Sequence, residues 1–178
     1  MRVSHSIRMS LLGIAGLMLA GCDTGPPPGA VFFADLPACM TRLSEADCRR
    51  ALDEAGQAHA ESAPISQLEE ECERLFGPRN CDARPMPSNR PYYVPAMLGF
   101  LTDGAAFSAP VYGAADGTAL VLRGGDLYQV GRFVLPPPTV VKGGKGRRAV
   151  TEPASPRDFL AFRPLPPAII SRDGFAGR

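Results

Sequence analysis

The chain has 178 residues, with 19 basic and 18 acidic side chains and a formal net charge of +1. That length suits one ordinary domain. Nineteen glycines, nineteen prolines, no tryptophan and 7% aromatic residues argue against an extensive core, because at such density irregular structure competes with packing.

Arg2 and Arg8 make the first eight residues a positive flank. Met9 to Leu19 is apolar and too short to span a bilayer as a mature helix. With small residues and a cysteine closing the run, residues 1–21 have the layout of a secretory signal peptide. Leu19-Ala20-Gly21-Cys22 resembles the lipobox of bacterial lipoproteins. The resemblance implies cleavage before Cys22, a covalent lipid on its sulfur and acylation of the new N-terminus. A membrane is then a partner through the anchor. Nucleic acid is not expected, because the protein is exported away from it. Asp23 follows directly, and in lipoproteins of enteric-type bacteria an aspartate there marks retention in the inner membrane. The expected location is the periplasmic face of that membrane. Cleavage would leave 17 basic residues (19 less Arg2 and Arg8) against 18 acidic ones.

Residues 22–36 read as a lipidated tether. Pro26-Pro27-Pro28-Gly29 has no apolar periodicity and favours an extended spacer. Val31-Phe32-Phe33 is an apolar strip suited to docking on the core or opening a short strand.

Residues 37–135 are expected to form a small globular domain. Ser44-Glu45-Ala46-Asp47 looks like a capping box, and Cys48, Ala51, Leu52, Ala55 and His59 then recur at helical spacing to about Ser62. Pro64 ends that helix. Ser66-Gln67-Leu68-Glu69 looks like a second capping box before a shorter helix striped by Leu68, Cys72, Leu75 and Phe76 and stopped by Gly77-Pro78. So short a connection predicts an antiparallel helical hairpin over 44–76.

Cys39, Cys48, Cys72 and Cys81 remain once Cys22 is set aside, and an exported, oxidising compartment makes disulfides their expected use. Zinc is disfavoured, because knuckle cysteines usually lie two to four apart, whereas Cys39 to Cys48 and Cys72 to Cys81 are wider. In an antiparallel hairpin turning near residues 63–65, Cys48 lies level with Cys81 and about 12 Å along the axis from the level of Cys72. A bridge needs Cα atoms within about 7 Å, so Cys48–Cys81 with Cys39–Cys72 is preferred. Cys39–Cys81 with Cys48–Cys72 is the runner-up.

Residues 92–101 form an apolar run, expected as a short helix covering the hairpin or as an interfacial segment. Short strands are expected over 110–135. Thr118 to Arg123 and Leu127 to Leu135 flank Gly124-Gly125-Asp126, a hairpin turn signal. Residues 136–178 read as a Pro/Gly-rich basic tail, partly disordered, with a loop of Lys142, Lys145, Arg147 and Arg148. The predicted fold is a small α+β domain: a disulfide-stapled helical hairpin, a short apolar helix, a few short strands and an irregular tail.

Several pieces together resemble a known family. They are Cys48, Cys72-Glu73-Arg74-Leu75-Phe76-Gly77 with Cys81, Tyr93-Val94-Pro95-Ala96-Met97-Leu98-Gly99-Phe100, Phe107-Ser108-Ala109-Pro110-Val111-Tyr112, and Ser171-Arg172-Asp173-Gly174-Phe175. This combination is similar to the YgiB-like family of bacterial predicted lipoproteins, whose domain has no known function. Family members are often encoded near an ATP-grasp ligase resembling glutathionylspermidine synthase. That association implies, as an alternative, an enzyme accessory or modified substrate in the ligase's pathway.

No catalytic constellation is legible. His59 is the one histidine outside the signal, and its place on or beside a helix stripe favours packing over base catalysis. Glu69-Glu70-Glu71 point in different directions on a helix and read as a solvated face. The glycine-rich stretches lack a phosphate-loop pattern. Neither a metal site nor a small-molecule ligand is identifiable. The expected function is a non-catalytic cell-envelope lipoprotein, a binding or scaffolding module with a possible membrane-protein partner.

Overall fold

The computed structural model describes residues 25–85, 90–123, 126–141 and 150–170. In chain order the elements are β1 (Val31–Phe33), α1 (Leu36–Met40), α2 (Glu45–Ser62), α3 (Glu69–Phe76), β2 (Cys81–Arg84), β3 (Tyr92–Pro95), β4 (Gly99–Thr102), β5 (Ser108–Gly113), β6 (Thr118–Arg123), β7 (Asp126–Val134), β8 (Thr139–Val141), β9 (Val150–Glu152) and β10 (Ala161–Ile170). A 3-10 turn lies at Pro156–Asp158. Six strands build one antiparallel sheet in the order β1-β4-β5-β6-β7-β10, while β2-β3 and β8-β9 form small two-stranded sheets.

The sheet curls almost into a barrel. Laid flat, strands about 4.8 Å apart would put β1 and β10 about 24 Å from each other. Instead the rings of Phe32 on β1 and Phe162 on β10 have centroids 4.4 Å apart. Strand alternation supplies both faces. Leu101, Ala109, Val111, Ala119, Val121, Val130 and Phe133 fill the inner face, with Phe32 and Phe162 packed against them. On the outer face Phe33 and Phe100 meet Cys39, Cys48, Ala51 and Ala55 of α1 and α2. Farther along, Tyr112 and Leu120 meet Cys72 and Phe76 of α3. The sheet is therefore buried on both sides where helices cover it. β10 carries Pro164, Pro166 and Pro167, which cannot donate to a ladder, so it stands at the edge.

This architecture overturns the expected α+β hairpin fold: the described residues are mostly β, with three short helices. The two main helices do form where their patterns place them, and Ser44 caps α2 by accepting from the Asp47 amide. They do not pair with each other. The connection after Pro64 is extended, and Ser66 exchanges backbone hydrogen bonds of 2.9 Å with Tyr93. That bridge sends α3 to a different part of the sheet. It also leaves Ser66 out of the expected capping role: α3 begins at Glu69 behind Leu68, with no side-chain cap bond. The small side chains of the α2 stripe fit it against β4 and β5 instead of another helix.

The apolar run 92–101 is likewise not a helix. It splits into β3 and β4, in keeping with the strand preference of Tyr92, Tyr93 and Val94 and with Pro95 interrupting it. Gly99 opens β4 at a point where a Cβ would sit 2.3 Å from the Phe33 carbonyl oxygen, so only glycine lets β1 approach. The stretch read as an irregular tail contributes β10, paired with β7 through a register shift between Pro164 and Ala168. The expected strands over 110–135 are present as β5, β6 and β7, with Arg123 facing Asp126 across their turn.

Candidate functional site

A prominent opening lies on the seam where the sheet fails to close. A cleft of about 560 Å³ runs between β1 and β10. Pro26 to Ala30 form one wall, so the segment read as a free tether is part of the domain. A guanidinium bond from Arg123 to the Gly25 carbonyl pins its start, and the same guanidinium lies 5.0 Å over the Phe107 ring. The Ala30 amide donates to the Pro27 carbonyl at 3.2 Å, and Gly29 takes φ +90°, turning the chain into β1. Phe162, Pro164, Leu165 and Pro167 of β10 face this wall. Buried Leu101 and Val130 form the floor, while Ala38 and exposed Arg42 stand at the rim. Chemically the cleft is mostly apolar, with one cation beside it.

A smaller, more polar hollow of about 150 Å³ is lined by His59, Ile65, Arg84 and Tyr92 among others. His59 Nδ1 is 3.1 Å from the hydroxyl of fully buried Tyr112. Burial pushes the Tyr112 hydroxyl well above its usual range, so it stays protonated. Desolvation pulls the His59 pKa down; Arg84 adds to this and Asp82 opposes it. The contact ties the His59 ring to the buried Tyr112 at the edge of this hollow.

The four domain cysteines form two disulfides, Cys39–Cys48 and Cys72–Cys81, with Cα separations of 5.8 and 6.2 Å. Neither the preferred pairing, Cys48–Cys81 with Cys39–Cys72, nor the nested runner-up is present. Both relied on a hairpin that does not exist. A helical turn not anticipated from the pattern, α1, presents Cys39 to the first turn of α2. The chain after α3 reverses through Gly77 at φ +90° and through Asn80, bringing Cys81 back to Cys72. Buried Asn80 holds that reversal by donating to the Phe76 and Gly113 carbonyls at 2.7 and 3.2 Å. Among the described residues no three His, Cys, Asp or Glu side chains are placed to share a metal ion. No helix among them is long and apolar enough to cross a membrane.

Cys22, Asp23, the signal segment, the basic loop from Lys142 to Arg148 and the Ser171 to Phe175 motif lie outside the described residues. Sequence reasoning missed the cleft. Its one available signal was the recurrence of proline with large apolar residues in two distant segments, 26–33 and 162–167, which local patterning cannot join.

A family model described as a protein of unknown function (DUF1190) matches residues 29–178. No curated protein and no solved structure matches the chain.

Proposed function

The chain belongs to the DUF1190 family of proteins of unknown function, and from that premise we propose that it is a non-catalytic binding module of the cell envelope, one of the YgiB-like predicted lipoproteins. The observation that carries the binding role is the apolar cleft at the open seam. Its volume of about 560 Å³ falls within the range of roughly 300–1,000 Å³ common to small-molecule sites. Exposed apolar surface of this kind costs solvation free energy unless something covers it. The lipobox-like Leu19-Ala20-Gly21-Cys22 supports anchoring through lipid on Cys22, and Asp23 supports retention in the inner membrane with the domain in the periplasm. A carboxylate beside the acylated cysteine is placed to pair with a cationic headgroup. Because Pro26 lines the cleft only four positions after Cys22, anchoring would hold the binding site close to the bilayer.

Density-gradient fractionation tests the reading. The wild-type protein should sediment with inner-membrane markers, Asp23→Ser should move toward the outer membrane, and Cys22→Ser should accumulate as uncleaved or mislocalised precursor. A Cys22→Ser chain cut at the same site and as tightly membrane-bound as the wild type would refute lipid anchoring.

A further inference from the structure

We infer that the seam cleft binds a free long-chain fatty acid, its tail between β1 and β10 and its carboxylate at Arg42. The inference rests on the proposed binding role of the same cleft and names its ligand. The chemistry of the walls favours a hydrocarbon chain over a peptide strand. Pro26, Pro27 and Pro28 on one side and Pro164 and Pro167 on the other have no backbone N–H. A peptide strand lying along these prolines would find few N–H partners outside Val31–Phe33, and strand addition depends on a continuous run of those bonds. A hydrocarbon chain needs none and gains from contact with Phe32, Phe162 and the Val130 floor.

Charge selects the head. Arg42 is exposed at the rim, and among the described residues no carboxylate pairs with its guanidinium. A planar guanidinium is suited to a carboxylate. An acyl chain attached to Cys22 has spent its carboxyl group in an ester or amide and offers Arg42 no anion. The same argument favours a free acid over the protein's own lipid.

The test uses the full chain carrying Cys22→Ala, in membranes of its host, so that it bears no acyl chain of its own. Palmitic acid carrying a diazirine is added, the sample is irradiated, and adducts are mapped by peptide mass spectrometry. Light-dependent adducts are expected on the segments around Phe32 and Leu165. Excess unlabelled palmitate should compete them away and palmitoyl methyl ester should not. Arg42→Glu, an exposed change that leaves the core untouched, should lower labelling about fivefold or more, whereas Arg42→Lys should largely preserve it. Ala38→Trp should block the cleft and abolish labelling while both disulfides remain intact.

Absence of labelling overturns the inference. So does labelling spread along the chain, labelling that survives Ala38→Trp, or labelling that the methyl ester competes equally and Arg42→Glu leaves unchanged. Labelling of the Cys22→Ala chain that is lost in the acylated wild-type chain would assign the cleft to the protein's own lipid and likewise overturn it. Fractionation of the wild-type chain reads anchoring independently. A protein that is anchored but takes no label therefore separates failure of the ligand from failure of the envelope reading.

Discussion

His59 shows how a partly buried imidazole can make stability depend on pH. The folded chain holds the His59 pKa below its ordinary value, chiefly by desolvation. As pH falls below about 6.5, the unfolded chain therefore takes up a proton before the folded one does. The stability contribution is intact above that pH, is lost as pH falls through the folded value, and then levels off. Thermal melts should show a smaller drop between about pH 7.5 and 5.5 for His59→Gln than for the wild type. Equal drops would mean that His59 titrates alike in both states. Gly99 is a second position where a single residue decides the packing. A methyl group there would meet the Phe33 carbonyl and the Phe32 ring at 2.3 and 2.7 Å. Gly99→Ala should destabilise the fold by about 1–3 kcal/mol in denaturant melts, in the range of other overpacked sites, and should do so by loosening β1. A melt unchanged from the wild type would show that β1 shifts freely.

At the scale of elements, both disulfides staple a helix to the piece of chain next to it in sequence. Cys39–Cys48 ties α1 to α2, and Cys72–Cys81 ties α3 to β2. Loops this short should each contribute about 2–3 kcal/mol in the chain-entropy description. Trypsin offers a direct check, because Arg42 separates Cys39 from Cys48, and Arg74 and Arg79 separate Cys72 from Cys81. Non-reducing digestion should yield the peptide ending at Arg42 joined to Leu43–Arg49, and Ala51–Arg74 joined to Asn80–Arg123, because Arg84 and Arg90 each precede a proline and are not cut. Any link between the two pairs would contradict this connectivity. Replacing Cys72 and Cys81 together by serine should lower stability by about 2–3 kcal/mol without moving α2, which packs on β4 and β5 through its own stripe. The α2 pattern itself was legible in sequence because capping and a 3.6-residue period are local. Its partner was not, since Ala51 and Ala55 suit a sheet as well as a helix.

At the scale of the whole molecule, the last described strand completes the sheet. β10 covers β7, and Phe162 meets Phe32 from the first strand and Phe133 from β7. A chain ending at Leu160 should therefore lose its cooperative thermal transition and bind a hydrophobic dye such as anilinonaphthalene sulfonate. A truncated chain that melted like the wild type would make β10 dispensable, as the composition of the tail suggested. Ion pairs also hold this region, with Arg157 to Asp82 at 2.5 Å and Arg79 to Asp158 at 3.2 Å. These pairs are exposed and worth little singly, so the aromatic contacts at the seam are the stronger constraint.

By itself the sequence determined the signal-like and lipobox-like N-terminus, the extents of α2 and of the C-terminal end of α3, and the strands between 110 and 135. Each of these is written in contiguous residues as a period, a cap or a turn. Tertiary structure alone decided which cysteines pair, that Tyr92–Pro95 and Gly99–Thr102 are strands, and that Pro26–Ala30 and β10 wall a cleft. The cleft depends on segments more than a hundred residues apart meeting where the sheet curls, and the cysteine pairing, nine residues apart in each bridge, on where α1 and the turn after α3 direct the chain. An apolar run or a proline-rich stretch carries no local signal of the surface it will face. Curl follows from the summed twist of six strands and from which side chains can share one interior, and neither is a property of any single window of sequence.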